Sequence, residues 1–161
     1  MRSTRRLGED EFDEATAMLS RAFWPDPLIG FFSRGALHEH RFGPLFFGAD
    51  LADLRRYAEI SVAEHDGRIG ALAAWAPPAT LPRTGWSRTR RDLLAARVLV
   101  RARHRAKATR LLAEVERRHP KEPHWYLALL GTDPAATGPA VAAARVIAAQ
   151  PAISLNERKH P

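Results

Sequence analysis

Two residues of the sequence could exchange protons near neutral pH, and each lies at one end of an apolar stretch. Glu64 follows the first stretch, and His124 precedes the second. Histidine titrates near neutral pH, and partial burial can raise the pKa of a glutamate toward the same range. Both are candidate general bases. The alternatives are that Glu64, beside His65, faces solvent and that His124, between Pro123 and Trp125, only packs.

Nucleophilic and metal chemistry have less support. The sequence has no cysteine, which excludes a disulfide framework, a thiolate zinc site and a cysteine nucleophile. His38 and His40 flank Glu39, but histidines two residues apart on a helix point to different sides, whereas the helical zinc motif places them four residues apart. We therefore expect no metal ion.

The early segments that must position these residues are mainly helical. Residues 9–23 carry apolar side chains at helical spacing, and the prolines on either side of Asp26 end that helix. Residues 28–57 predict two helices, interrupted around Gly35 or Gly43. Residues 4–7 predict a short first strand.

The clearest local signal is a hairpin in residues 59–76. Its two apolar stretches are joined by Asp66 and Gly67, a pair typical of a two-residue β-turn. Residues 122–131 contain the near-continuous apolar run Trp125 to Leu130 between a proline and a glycine, which predicts a central strand covered on both faces. The alanine-rich residues 138–150 predict a helix, and residues 152–155 predict one more short strand.

Positive charge is concentrated in residues 83–121. The whole chain has a formal net charge of +7, and this segment alone holds thirteen lysines and arginines against three acids. Apolar residues at helical spacing among the arginines predict one or two basic helices. Arginines along a helix can follow a phosphate backbone, or they can form a solvated face. Trp86 alone is an aromatic residue interleaved with these charges, which disfavours a platform for single strands.

Two stretches resemble a known enzyme family. Residues 22–27, Ala-Phe-Trp-Pro-Asp-Pro, and residues 119–134, His-Pro-Lys-Glu-Pro-His-Trp-Tyr-Leu-Ala-Leu-Leu-Gly-Thr-Asp-Pro, are similar to segments of one bacterial group of GNAT acyl-CoA-dependent N-acetyltransferases. The order of the predicted elements is also similar. The resemblance implies an α/β GNAT-like fold with a mixed central sheet flanked by helices, in a single domain over residues 1–161 with a basic helical insertion at about 83–121. It also implies that the family's last helix and strands are missing.

The same resemblance implies transfer of an acetyl group from acetyl-CoA to the amine of a small molecule or peptide. Backbone amides near Leu130, Gly131 and Thr132 would orient the thioester and bind its carbonyl oxygen, while Glu64 or His124 would take a proton from the amine. Early aromatic residues could wall an acceptor pocket, or they could simply be core; they are Phe23, Trp24, Phe31, Phe32, Phe42, Phe46 and Phe47.

The pyrophosphate loop of the family is altered in this chain. The family pattern Gln/Arg-x-x-Gly-x-Gly/Ala grips the CoA pyrophosphate with backbone amides at a helix N-terminus. The residues that align with it are Thr137, Gly138, Pro139, Ala140, Val141 and Ala142. Proline removes one donor and Ala140 adds a methyl group where the family keeps glycine, so we expect weaker binding. Impaired or lost activity is therefore the alternative to a working enzyme.

A second function class stays open on the sequence alone. The arginine-rich helices could form a basic module that binds nucleic acid or another polyanion. No apolar run reaches the roughly 18 residues of a membrane span, and the first ten residues do not resemble a signal peptide, so we expect a cytoplasmic protein without a membrane partner. If the end of the GNAT fold is missing, a second copy could cover the exposed sheet edge.

Overall fold

A computed structural model describes residues 4–24, 26–33, 36–78, 80, 85–102 and 104–136, with the backbone alone for 36–40, 85–88 and 91. The described strands are β1 (Thr4–Arg6), β2 (Glu59–His65), β3 (Arg68–Ala76) and β4 (Tyr126–Thr132). The described helices are α1 (Phe12–Ala22), which follows a 3-10 turn at Glu9–Glu11, then α2 (Pro27–Phe32), α3 (Ala36–Leu54), α4 (Gly85–Leu99) and α5 (Arg105–Arg118). The helix and strand predicted for residues 138–150 and 152–155 lie outside these ranges.

The four described strands form one sheet in the order β1-β2-β3-β4, and every neighbouring pair is antiparallel. The predicted hairpin is confirmed as β2 and β3. Its turn residues Asp66 and Gly67 have φ angles of 51° and 73°. Two consecutive positive φ angles match the twist of the flanking strands, and aspartate followed by glycine adopts them readily.

The helices before the hairpin are confirmed, but the interruption falls between α2 and α3 rather than at Gly43. The side chain of Asp26 accepts a hydrogen bond from Leu28 N–H (2.7 Å) and so starts α2. Gly43 lies inside α3, where a Cβ atom would stand 3.2 Å from the Cβ and Oγ of Ser20. The missing side chain thus lets α3 approach α1 closely.

The main hydrophobic core lies between α1, α3 and one face of the sheet. Its fully buried members include Met18 and Leu19 of α1, Leu51 of α3, and Val62 and Leu72 of the hairpin. The opposite face carries a smaller group of buried alanines, Ala63, Ala71 and Ala73, against which Trp75 and Leu127 pack. The hairpin is therefore buried on both faces, as its apolar sequence requires.

The third apolar stretch differs from its prediction. β4 begins at Tyr126, inside the predicted stretch of residues 122–131, and Pro123 before it lacks the N–H group that a ladder requires. It is the last strand of the described sheet, and its Leu130 side chain is 39% exposed. Within the described residues, the face that carries Leu130 is therefore only partly covered.

Two basic helices, α4 and α5, follow the hairpin, as the charge pattern predicted. Within the described residues, no helix is both long enough and apolar enough to cross a membrane.

Candidate active site

The edge of β4 that faces away from β3 is the central feature of the candidate site. Asp133 N–H donates to the Gly70 carbonyl of β3 at 2.9 Å. Hydrogen-bonded and non-hydrogen-bonded pairs alternate along an antiparallel ladder. By that alternation, Gly131 turns its backbone groups toward β3, whereas Leu130 and Thr132 turn theirs toward the other edge. No described strand pairs with that edge, so two backbone N–H groups point away from the described sheet.

A β-bulge precedes these residues on the same strand. Leu129 pairs with Ala74 and Leu127 pairs with Trp75, which leaves Ala128 as an extra residue on β4. Bulges bend a strand and re-aim its side chains. Ala128 and Leu129 consequently both contact the main core instead of alternating between faces.

The C-terminal end of β4 is tied to the end of α1. Asp133 accepts a hydrogen bond from Arg21 Nε (3.0 Å) and another from Ala135 N–H (3.0 Å). Burial acts to raise the pKa of Asp133, but these hydrogen bonds and the Arg21 charge outweigh it, so the pKa is lowered. The carboxylate therefore fixes the point where the chain leaves β4 toward the predicted loop, whose six residues from Thr137 to Ala142 lie outside the described ranges.

One candidate base, His124, lies beside the start of β4. Its Nδ1 is 2.7 Å from the Glu122 carbonyl oxygen. A carbonyl can only accept, so Nδ1 carries the proton and Nε2 is the basic nitrogen of the neutral ring. The ring of His124 stacks near that of His119, with centroids 4.9 Å apart, and lies 6.4 Å from the ring of Tyr126.

His119 is a further site residue that sequence reasoning missed. Its Nε2 is buried and has no hydrogen-bond partner within the described part of the chain. Burial and the charge of His124 lower the pKa of His119, against the opposing charge of Glu116. Its ring lies edge-on to Tyr126 at 4.7 Å. The only signal in the sequence was that the two histidines are five residues apart. They come into contact because the chain turns at Pro120 and Pro123, which lie between them.

The other candidate base, Glu64, lies far from His124. Its carboxylate accepts from Arg5 Nε at 2.8 Å, and β3 separates it from β4. Glu64 pairs with Ile69, whereas the start of β4 pairs with Ala76. Seven residues of extended chain span about 23 Å. The two candidates therefore lie at opposite ends of the sheet and cannot act on the same proton.

A cavity of about 250 Å³ lies between α3, α4, α5 and the first half of β4. Three of the seven aromatic residues singled out in the sequence line it, namely Phe32, Phe42 and Phe46. Tyr126 and Ala128 of β4 form another wall. Of the remaining aromatics, Phe47 is buried in the core, and Phe23 stacks on it with centroids 5.1 Å apart. Phe31 is half-buried against the core and Trp24 is exposed, so the early aromatics divide among a cavity wall, the core and the surface.

A polar network at the cavity wall was also missed. Asp53 is 7% exposed and accepts a hydrogen bond from Tyr57 Oη at 3.2 Å. The Arg90 guanidinium of α4 lies 3.5 Å from Asp53 and donates to the Ala52 carbonyl at 2.9 Å. No sequence motif predicts this contact, because Asp53 and Arg90 come together only when α4 packs on α3.

The basic helices do not show a described feature that favours nucleic-acid binding. Arg117 and Arg118 both bond to Glu114 on the exposed side of α5, and Arg90 is engaged with α3. Among the described residues no group of three potential metal ligands comes together.

No protein-family model matches the sequence, and no curated protein matches it significantly. Among solved structures, the chain is similar to a Corynebacterium glutamicum protein described as histone acetyltransferase HPA2 and related acetyltransferase. The identity is 20%, the match covers 90% of this chain and 67% of that chain, and the TM-score is 0.60. The chain is also similar to Drosophila melanogaster polyamine N-acetyltransferase, which forms N-acetylagmatine (18% identity, 97% and 72% coverage, TM-score 0.49). A third similar structure is mosquito arylalkylamine N-acetyltransferase-like 5b (18% identity, 99% and 73% coverage, TM-score 0.45).

The assignment of fold rests on the first of these structures, since the TM-scores of the other two are too low to support it. The element order and the antiparallel hairpin agree with the predicted architecture, whereas the described strands form an entirely antiparallel sheet where a mixed sheet was predicted. The chain has the α/β fold of the GNAT acetyltransferases.

Proposed function

We propose that this protein transfers an acetyl group from acetyl-CoA to the primary amine of a small molecule or peptide. The observation that carries the proposal is the outward direction of the Leu130 and Thr132 backbone groups on a bulged edge strand, within a GNAT fold. Backbone N–H groups held by a sheet can bind a developing oxyanion without reorganising. This edge supplies what acyl transfer needs most from a protein.

The reaction would proceed by attack of the amine nitrogen on the thioester carbonyl carbon. The new C–N bond forms, the C–S bond breaks, and the amine proton passes to a base while the thiolate of CoA leaves and is protonated. Outward N–H groups near Leu130 and Thr132 would bind the carbonyl oxygen as its negative charge grows. Gly131 would act differently from its neighbours, because its backbone groups belong to the ladder with β3.

For the base, the described contacts support His124 over Glu64. The carboxylate of Glu64 is engaged by Arg5 and lies beyond β3, whereas His124 lies next to Tyr126, which lines the cavity. A neutral imidazole whose Nδ1–H is bound to a carbonyl presents Nε2 as a proton acceptor. His124 lies six residues before Leu130, at most about 20 Å of extended chain, so we propose that the proton reaches it along Tyr126 and a chain of waters.

We also propose that residues 1–161 form a single domain, in which α4 and α5 constitute the basic insertion. The pyrophosphate would lie at residues 137–142, where Pro139 and Ala140 weaken its cradle. In an isothermal titration, acetyl-CoA should therefore bind more tightly to Ala140→Gly and not at all to Gly138→Pro. Equal affinity in both variants and the native chain would contradict this loop assignment.

The test of the function is release of CoA in the presence of primary amines. Because the chain contains no cysteine, a thiol reagent detects only the thiol of released CoA. We expect turnover that requires both acetyl-CoA and amine. His124→Gln should lower kcat about 100-fold, the usual contribution of a general base, and should do so without changing acetyl-CoA affinity.

Glu64→Gln is the matched variant, since it removes the other candidate carboxylate by an equally small change. A loss of kcat in Glu64→Gln but not in His124→Gln would exchange the two roles. A folded chain that neither binds acetyl-CoA nor releases CoA would overturn the proposed function altogether.

A further inference from the structure

The cavity beneath the basic helices is bounded mainly by apolar side chains. α3 contributes Phe42 and Phe46, α4 contributes Leu94 and Val98, and α5 contributes Leu112. A volume of about 250 Å³ exceeds the roughly 150 Å³ of an apolar cavity that accepts benzene. The space therefore suits a single ring with a short chain.

Two carboxylates line the cavity, those of the exposed Asp50 and the buried Asp53, and Asp53 is engaged inside the protein. Asp53 accepts from Tyr57 and lies beside the Arg90 guanidinium, which is held in turn by the Ala52 carbonyl. A ligand would consequently meet mostly aromatic and aliphatic surface. Burying a second ligand charge against this apolar part of the wall is unfavourable, so the aromatic and aliphatic side of the cavity favours an apolar body over a second amine.

The cavity is also close to the edge where transfer is proposed. Ala128 lines it, and Leu130 is two residues further along the same strand. Two residues of extended chain span about 7 Å, which a short alkyl chain can bridge. An amine whose body fills the cavity can therefore bring its nitrogen to the outward groups of β4.

We propose that this cavity is the acceptor site and that the acceptor is a small primary amine with one apolar, ring-sized body. This inference rests on the proposed function, since the amine is required by acetyl transfer while the apolar body is read from the cavity. α4 and α5 then have a role beyond carrying charge, because they close the acceptor site.

The experiment compares 2-phenylethylamine with putrescine, a linear diamine. Binding of each to the full chain is measured by isothermal titration without acetyl-CoA, and acetyl-CoA binding is titrated separately. 2-Phenylethylamine should bind at least about tenfold more tightly than putrescine, a difference of about 1.4 kcal/mol. Equal or tighter binding of putrescine would overturn the inference.

Two adjacent alanines of α4 provide a matched pair of variants. Ala95 lines the cavity, whereas Ala96 is exposed. Ala95→Phe should fill the space and weaken 2-phenylethylamine binding about tenfold or more, while Ala96→Phe should bind it like the native chain. If Ala95→Phe does not fold, Val115→Trp serves instead, because Val115 lines the cavity yet is 53% exposed.

The outcomes separate the two proposals. Normal acetyl-CoA binding together with amine binding that is insensitive to Ala95→Phe and Val115→Trp would overturn the acceptor site and leave the acetyltransferase proposal standing. Loss of acetyl-CoA binding in the native chain would overturn the acetyltransferase proposal, whatever the amine titrations give.

Discussion

The two halves of the described sheet are packed to very different degrees. In the half formed by the hairpin with α1 and α3, Met18, Leu19, Leu51 and Leu72 are completely buried. In the half formed by β4 with α4 and α5, a cavity separates the helices from the sheet. Large apolar side chains are also exposed there, namely Leu93 (59%), Val100 (60%), Leu111 (39%) and Val115 (53%). The first half is a scaffold, and the second has room for a ligand.

This difference follows from what each half buries. Regions with few buried apolar contacts open locally at lower free energy than the core does. α4 is fastened to α3 through Arg90, and α5 contributes Ala108 as its buried residue. We therefore expect α4 and α5 to open and close more readily than α1 and α3, which is the behaviour that a covered binding site requires.

The largest expected effect comes from the same substitution made in both halves. Leu51→Ala removes a fully buried side chain of α3 and should lower the free energy of unfolding by about 2–5 kcal/mol. Leu93→Ala, on α4, should change it by less than about 0.5 kcal/mol because Leu93 is 59% exposed. Urea unfolding measures both values. Similar losses in the two variants would show that the halves are equally packed.

A second variant tests the junction of the halves, where β4 meets α1. A Cβ atom at Gly131 would stand 2.8 Å from Cδ2 of Leu19 and 3.4 Å from Cε2 of Phe23. Because Leu19 is fully buried, Gly131→Ala should cost about 1 kcal/mol through overpacking. Urea unfolding again gives the value, with Leu19→Val as a companion change that reduces the crowding. If Leu19→Val does not relieve the cost of Gly131→Ala, the contact is not its cause.

The scaffold half was the more predictable from sequence. Two apolar stretches around Asp66-Gly67 identified the hairpin, and helical spacing identified the buried side of α1, including Met18 and Leu19. These signals are local, since each depends on residues within one turn or one strand pair. The sequence left two places for the interruption between these helices, at Gly35 or at Gly43, because a glycine can either end a helix or allow close packing. Gly43 allows close packing inside α3.

The site was less predictable because its features depend on contacts between distant segments. The outward direction of Leu130 and the bulge at Ala128 depend on register with β3, which no motif encodes. Asp53 and Arg90 meet only through helix packing, and His119 reaches Tyr126 only through the turn between α5 and β4. The resemblance to GNAT enzymes predicted the strand and the roles expected of its residues, whereas the cavity could be identified only in the folded structure.

The smallest expected effect lies at the other edge of the sheet, where an ion pair fastens β1 to the 3-10 turn that follows it. Arg5 Nη1 donates to Glu11 at 2.6 Å, and Gly8 N–H donates to the same carboxylate at 2.8 Å. The hydrogen bond from Arg5, followed by that from Gly8, lowers the pKa of Glu11 from 4.5 to about 2. The folded state therefore binds fewer protons than the unfolded state between these values, so the stabilisation is present above pH 4.5 and is lost as the pH falls toward about 2. Since the pair is partly exposed, its contribution is under about 1 kcal/mol.

Glu11→Gln should thus lower the free energy of unfolding at neutral pH, and its difference from the native chain should shrink through this window. The control is Glu9→Gln, which changes an exposed acid of the same turn and should show no comparable dependence of stability on pH. If the stability difference between Glu11→Gln and the native chain stayed constant with pH, the charge of Glu11 would not be what fastens this edge.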